Sequence, residues 1–516
     1  MKVHILSTSD VHGNIYPTNF ATKDNYSPFG YLKDLSAISA IRQAHPDDVV
    51  LYIENGDFIE GAPMSTYAYQ TNQDKHYDQL FAKLTDLAQP VAGILGNHEF
   101  NYGLPYIKQV WQHANHPILA ANILKNGQPL FDPYVIIEQK GVKVGIIGLT
   151  TQYIPHWEDE RNILDLEFLP AYTTAKRYVK ELRPKVDVLV IAYHGGFEAD
   201  LKTGRASEPA TGENEGYQLL TNLAGVDALV TGHQHRQIAE VINGVATSQP
   251  GFRGQNVGHL TLQLDTNHKV TGATAKLIDV SDFPLDPVGL ELTKQWKQEV
   301  DVWLDQPLTT IKGGLLISDH LQARLAGHPY LELINQVQMA KTGTDIACTS
   351  LFNDEIRGLD ETVTIRNVMN GYPYPNTLVV ERISGLDLRQ ALERCASFFT
   401  ITDSGDVAIS QEFLKPKEQL FNYDYYSGIE YSFDLRQPVG NRLVKLTYHG
   451  HEISDEDQLD VTLNQYRGGG GGEYPMFSTS KVIRTYEDDV QTLIIKYLAA
   501  KPSYTPKTPT SLTVKY

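Results

Sequence analysis

Short apolar runs alternate with longer amphipathic stretches through the first half of the chain, the rhythm of an α/β architecture. Val3–Leu6, Val49–Ile53, Val91–Leu95, Val142–Gly148, Val188–Ala192 and Ala228–Thr231 read as strands. Tyr31–Gln43 and Ala171–Arg183 between them read as helices. After Leu264 the pattern changes. A Pro- and Asp-bearing stretch, Asp282–Pro287, leads into a polar helix over Gly289–Leu304 that can join two domains. From about Leu308 the rhythm is mixed α+β, with strand-like Thr377–Ile383 and Leu443–Tyr448. Gly468–Gly472 is a run of five glycines, part of a turn-like segment after Tyr466-Arg467 or else only a flexible loop, and Lys501–Tyr516 reads as a tail or an edge strand. No internal repeat is present.

Length makes more than one core necessary: 516 residues exceed what a single hydrophobic core usually serves, so two or three domains are expected. An apolar share of 41% with 21% charged residues is that of an ordinary globular protein. The net charge of −18 argues against long nucleic acids, and it requires any phosphate site to be made locally positive by metal ions or clustered Arg. Cys348 and Cys395 are the only cysteines, which leaves no disulfide framework and no cysteine-rich metal site. Met1–Leu6 runs into Ser7-Thr8-Ser9 with no apolar targeting core, and no stretch approaches the roughly 18 apolar residues of a membrane span. The expectation is a cytoplasmic chain without membrane contact, or a periplasmic or extracellular one if a signal peptide has been trimmed.

Chemistry concentrates where the strands end. The first is followed by Asp10-Val11-His12, whose spacing of two in extended chain would point both side chains one way. Later strands run into Gly56-Asp57, Gly96-Asn97-His98-Glu99, His194-Gly195-Gly196 and Gly232-His233-Gln234-His235. Open α/β sheets place their sites just beyond strand ends. One Asp-x-His pair is usually a polar turn, and one His after a strand is usually a capped loop residue. Five such clusters in succession are not.

These residues match the pattern D-x-H, G-D, G-N-H-E, H, G-H-x-H, and the chain resembles the calcineurin-like metallophosphoesterases. Nearly its whole length is similar to the 5′-nucleotidase superfamily. Its pointers, Gly96-Asn97-His98-Glu99-Phe100-Asn101-Tyr102-Gly103, Tyr372-Pro373-Tyr374-Pro375-Asn376-Thr377 and Asn464-Gln465-Tyr466-Arg467, most resemble the bifunctional 2′,3′-cyclic-nucleotide 2′-phosphodiesterases/3′-nucleotidases. The resemblance implies an α/β plus α+β chain: a four-layer catalytic domain of two mixed β-sheets flanked by helices over residues 1–281, a linker helix region over 282–308, and a nucleotide-binding domain over 309–516. It implies two divalent metal ions (Mn²⁺, Zn²⁺, Co²⁺ or Fe), one held by Asp10, His12, Asp57 and His235, the other by Asp57, Asn97, His194 and His233. Such a pair activates a bridging water and neutralises phosphate oxygens. His98 would stabilise the transition state or protonate the leaving oxygen. The 5′-nucleotidase branch holds this His with an Asp three residues on; here Asn101 stands there, an amide that orients the ring without adding charge.

In the second domain Tyr374 and Tyr466 match the family's two base-stacking positions, with Asn376 in the same segment as Tyr374. Asn353 and Arg357 resemble its substrate-contacting Asn and Arg, although Asp354 and Glu355 replace the usual glycines. An acidic residue usually follows the glycine run and contacts base or ribose; Glu473 stands there. The expected function is metal-dependent hydrolysis of 2′,3′-cyclic nucleotides and 3′-nucleotides. A 5′-nucleotidase or nucleotide-sugar hydrolase is the alternative within enzymes, and a non-catalytic nucleotide-binding protein the alternative outside them. The expected partner is a small nucleotide, and the expected state a monomer or weak homo-oligomer.

Overall fold

The structure is a computed structural model that describes every residue of the chain except Asp24, Pro209, Pro375, Pro416 and Glu487. Pro375 of the Tyr-Pro-Tyr-Pro-Asn segment therefore lies outside the described residues. The chain divides into two compact units, Met1–Asp301 and Val302–Tyr516.

The first unit contains strands β1 (Lys2–Thr8), β2 (Val49–Glu54), β3 (Ala92–Ile94), β4 (Ile118–Leu119), β5 (Tyr134–Gln139), β6 (Val142–Thr150), β7 (Val188–His194), β8 (Ala228–Thr231), β9 (Gln237–Ile242), β10 (Val245–Pro250), β11 (Asn256–Leu264) and β12 (Val270–Asp279). They form two six-stranded sheets, ordered β12-β11-β1-β2-β3-β4 and β9-β10-β8-β7-β6-β5. Both are mixed, with β1, β2 and β3 parallel in one and β6, β7 and β8 parallel in the other.

Burial along single strands shows the layering. All seven residues of β7 are buried, because both of its faces are covered. Val188, Val190 and Ala192 face the other sheet and share a core with Val3, Ile5, Leu51 and Ile53. Leu189, Ile191 and Tyr193 face outward under helix α1 (Ala171–Leu182). That helix buries Ala171, Ala175, Tyr178, Val179 and Leu182, a stripe at helical spacing. On the far face of the first sheet the helix Tyr31–Ala44 sets the Tyr31 hydroxyl 3.2 Å from that of Tyr52 in β2. Helix, sheet, sheet and helix are the four layers expected from the sequence. The predicted strands and helices are all present, with ends shifted by a residue or two. The linker helix runs over Pro287–Leu304, and its buried Trp296 stacks on Tyr77 at 5.7 Å. Among the described residues no helix is long and apolar enough to cross a membrane.

The second unit carries a five-stranded sheet from β13 (Ile346–Ser350), β14 (Leu378–Ser384), β15 (Asp424–Ser427), β16 (Gln458–Asn464) and β17 (Val482–Thr485), ordered β15-β13-β16-β14-β17. The chain end is strand rather than tail: Leu512–Lys515 pairs in parallel with Glu430–Asp434. The glycine run is a tight wrapped turn. A Cβ on Gly471 would meet the Tyr466 ring at 2.7 Å, and one on Gly472 would meet the Asn422 side chain at 1.9 Å. Close approach of neighbouring side chains, not flexibility, is what these glycines provide.

Candidate functional site

Parallel pairing places the C-terminal ends of β1, β2, β3, β7 and β8 at one end of the sandwich, and the five polar clusters meet there. Asp10 and His12 depart from the extended chain that their spacing alone implies. Asp10, His12, Asp57, His233 and His235 all adopt left-handed backbone, with φ between 50° and 69°. Asp and His tolerate this region better than branched residues, and such strain gathers at functional sites.

All seven predicted ligand side chains converge. His12 Nε2 lies 3.1 Å from His235 Nε2 and 3.8 Å from Asp57 Oδ2, and His235 Nε2 lies 3.4 Å from Asp10 Oδ1. In the adjoining half, His194 Nε2 is 3.1 Å from Asp57 Oδ2 and 3.3 Å from Asn97 Oδ1, while His233 Nδ1 is 2.9 Å from Asn97 Oδ1. Donor atoms bound tetrahedrally at about 2.0–2.1 Å sit about 3.3 Å apart, the scale of these separations. Asp10, His12 and His235, and likewise Asp10, Asp57 and His194, each present ligand atoms within 4.8 Å of one another.

Electrostatics agree with the geometry. Asp10 and Asp57 are both buried. Burial alone would lower the His194 pKa, but Asp57 and Asp10 push it up to about 10. Burial, which Asp57 only partly offsets, pushes the His12 imidazole down to about 3, leaving it a neutral donor. Two buried carboxylates ringed by imidazole and amide donors make a site that demands positive charge.

Several residues support the cluster, and of these only Glu99 stands in the sequence pattern. Glu99 is fully buried, and its carboxylate accepts from the backbone N–H of Asp57 (2.8 Å), Phe58 (2.7 Å) and Gly96 (2.6 Å), tying two loops of the cluster together. The far nitrogens of two rings of the cluster are held: His194 Nδ1 by the Asn55 carbonyl at 2.7 Å, and His233 Nε2 by Glu213 Oε1 at 2.9 Å. Such partners fix ring orientation and tautomer. Nothing in the local sequence marks Glu213, which lies 20 residues from its histidine.

His98 stands beside this cluster, its backbone N–H donating to Asp57 Oδ1 at 2.8 Å. Its Nδ1 is 2.7 Å from Asn101 Oδ1, and the Asn101 amide donates to Glu158 Oε2 at 2.7 Å. A carboxylate accepts and cannot donate, so Glu158 fixes which way the amide faces and Asn101 presents oxygen to the ring. His98 then carries its proton on Nδ1 when neutral. Charge that the amide lacks comes from elsewhere: Glu60 Oε2 lies 3.3 Å from Nδ1. Burial lowers the His98 pKa, but Asp57 and Glu60 raise it overall above the ordinary imidazole value.

The predicted substrate contacts of the second unit gather at one end of its sheet. β13 and β16 run parallel and β14 antiparallel to them, so the segments after Ser350 and Asn464 and before Leu378 emerge together. Tyr374 packs edge-on against Phe352 at 5.2 Å, and Tyr466 against Phe421 at 6.2 Å; both tyrosines are half-buried. Asn376 accepts the Val490 N–H through its carbonyl, and Asn353 Oδ1 accepts the Glu355 N–H at 2.9 Å. Arg357 is exposed. Asp354 is turned aside by buried Arg324, Nη1 to Oδ1 at 2.8 Å, and Glu473 pairs with Arg394 at 2.7 Å. Both carboxylates thus have cationic partners within the unit.

Residues 3–237 match the family model of calcineurin-like phosphoesterases, and residues 309–479 that of the 5′-nucleotidase C-terminal domain. A 2′,3′-cyclic-nucleotide 2′-phosphodiesterase/3′-nucleotidase of Haemophilus influenzae is 27% identical, across 97% of this chain and 85% of its own. The trifunctional nucleotide phosphoesterase protein YfkN of Bacillus subtilis is 24% identical across 98% of this chain, which spans 38% of that longer protein. The solved structure of a putative 5′-nucleotidase from Staphylococcus aureus, in complex with α-ketoglutarate, is 36% identical with a TM-score of 0.92 and full coverage of both chains. The chain belongs to the calcineurin-like metallophosphoesterases that carry a 5′-nucleotidase C-terminal domain, a family of divalent-metal hydrolases of nucleotide phosphoesters.

Proposed function

We propose that this chain hydrolyses 2′,3′-cyclic nucleotides to 3′-nucleotides and then removes the 3′ phosphate. The observation that carries the reading is the seven-donor cluster with His98 beside it. Asp10, His12, Asp57 and His235 would hold one divalent ion, and Asp57, Asn97, His194 and His233 a second, with Asp57 between them. The mixed imidazole, carboxylate and amide donors suit Mn²⁺, Zn²⁺, Co²⁺ or Fe. When bound, the two ions supply Lewis-acid charge for phosphate oxygens and lower the pKa of a water. His98, with Nδ1 directed at Asn101, would present Nε2 to the phosphate and hold a proton there for the leaving oxygen. Opening the cyclic ester expels the 2′ oxygen, and hydrolysis of the remaining ester yields nucleoside. Tyr374 and Tyr466 would stack the base and tolerate any base, since every base has an apolar face.

Asn101 in the His motif and the Tyr-Pro-Tyr-Pro-Asn and Asn-Gln-Tyr-Arg segments support the cyclic substrate, as does the name of the Haemophilus relative. The Staphylococcus structure, called a putative 5′-nucleotidase, supports the alternative of 5′-nucleotide hydrolysis. Phosphate release from 2′,3′-cyclic AMP, 3′-AMP and 5′-AMP with added Mn²⁺, with a phosphomonoesterase coupling the cyclic reaction, separates them. The cyclic and 3′ substrates should give the higher kcat/KM. A clear preference for 5′-AMP overturns the substrate assignment and leaves the hydrolase class standing.

A further inference from the structure

A second group of metal-type donors lies at the other end of β1. His4 stands near the start of that strand and Asp10 just past its end, about 20 Å apart at 3.3 Å per residue of strand. His4 is 2% exposed, and its Nε2 lies 3.3 Å from Asp48 Oδ2. Asp48 and His45 come from the turn between the helix Tyr31–Ala44 and β2, with His45 Nδ1 4.0 Å from the same carboxylate oxygen. One ligand atom from each of the three falls within 4.8 Å of the others.

We propose that His4, His45 and Asp48 form a binding site for a borderline divalent cation such as Zn²⁺, separate from the catalytic cluster. The His4–Asp48 separation already equals the roughly 3.3 Å edge of a zinc tetrahedron. His45 is stacked on His4 at 4.1 Å with a 25° tilt, so its ring must swing to aim at a shared ion. It has room: the side chain is 32% exposed. A hollow of about 440 Å³ lined in part by Arg42, His45, Asp48 and Lys140 opens beside it.

The surroundings resemble the support that metal ligands receive. His4 Nδ1 is 2.8 Å from Nε2 of His259, itself 3% exposed, which leaves His4 Nε2 to face Asp48. Asp48 Oδ1 accepts the Lys2 N–H at 2.8 Å, which orients the carboxylate. Two imidazoles with one carboxylate select a borderline ion over Mg²⁺ or Ca²⁺. The bound ion would clip the first strand to the helix–strand turn. Without one, His4 and Asp48 form a plain hydrogen bond.

The test is the zinc content of the full chain after dialysis against micromolar Zn²⁺, compared among native protein, His45→Ala and Asp48→Asn. Both changes lie at partly exposed positions, and the amide that Asp48→Asn introduces keeps an oxygen for the Lys2 N–H. Each variant should hold one equivalent fewer per chain, with turnover of p-nitrophenyl phosphate unchanged. Equal zinc in native protein and both variants overturns the proposal. All three proteins keep every residue of the catalytic cluster, so the difference is read independently of how many ions that cluster takes.

Discussion

Arg467→Met is expected to destabilise the second unit by about 3–5 kcal/mol, the usual cost of removing one partner from a buried ion pair. Arg467 and Asp424 are each 1% exposed. The guanidinium grips the carboxylate with two nitrogens, Nε to Oδ2 at 2.7 Å and Nη2 to Oδ1 at 3.1 Å. It also donates to the carbonyls of Gly471 and Phe421 and lies 3.9 Å from the Tyr474 ring centroid. Met restores most of the volume and none of the donors. Asp424 would be left with the Ser350 hydroxyl at 2.6 Å as its remaining side-chain partner. Most of the loss therefore comes from a buried charge left uncompensated. Against a domain stability of about 5–15 kcal/mol this is a large fraction. At about 2–4 °C per kcal/mol for a unit of this size, a loss of about 4 kcal/mol lowers Tm by roughly 8–16 °C. Urea unfolding followed by tyrosine fluorescence, with calorimetry, reads both numbers. The double variant Arg467→Met/Asp424→Leu removes both charges and should recover at least half of the loss. A single variant within about 1 kcal/mol of native, or a double variant no better than the single, would refute the reasoning.

The other expectations concern the catalytic reading. Chelation should abolish turnover and Mn²⁺ or Co²⁺ restore it; Asp57→Asn should weaken both metal positions together, whereas His12→Ala should lower occupancy of one, as elemental analysis reports. His98→Asn should keep its metal while kcat falls by roughly 10²- to 10⁴-fold, and loss of metal instead would make His98 a ligand. Glu158→Gln frees the Asn101 amide to turn, so kcat should drop about 10- to 100-fold with metal content intact. Tyr374→Ala and Tyr466→Ala should each weaken nucleotide binding by about 1–3 kcal/mol, read as a raised KM, while p-nitrophenyl phosphate is spared.

The strands were legible because those carrying the site are covered on both faces, which writes them as near-continuous apolar runs such as Val188–Ala192. Their ends were legible because metal-type donors in five successive strand-end clusters are improbable as decoration. Backbone conformation there was not. Asp10-Val11-His12 reads as extended chain by spacing, yet Asp10 and His12 are left-handed, with φ of 57° and 50°. That conformation is imposed by loops packed against them, including the His12 N–H bonded to the Asp57 carbonyl at 2.8 Å. The glycine run was left open between turn and flexible loop for a similar reason. Gly471 and Gly472 are small because Tyr466, Asn422 and Arg467 occupy the space a side chain would need, and sequence cannot display that Asn422, 50 residues away, is one of them.

The same limit explains why Asn101 looks like a loss in the sequence and not in the structure. Read locally, replacing a carboxylate by an amide removes the charge that would support a protonated His98. In three dimensions the charge is relocated. Glu60 approaches the ring nitrogen to 3.3 Å from the loop after Asp57, and Glu158 secures the amide from 57 residues away. An Asp at position 101 would set its carboxylate against that of Glu158, at the 2.7 Å contact the amide now makes as a donor. With Glu158 in place the amide is the residue that fits, because it can donate to one carboxylate while accepting from the imidazole. Asn101 and Glu158 thus form one unit of the site, and substitution of either is intelligible only with the other in view.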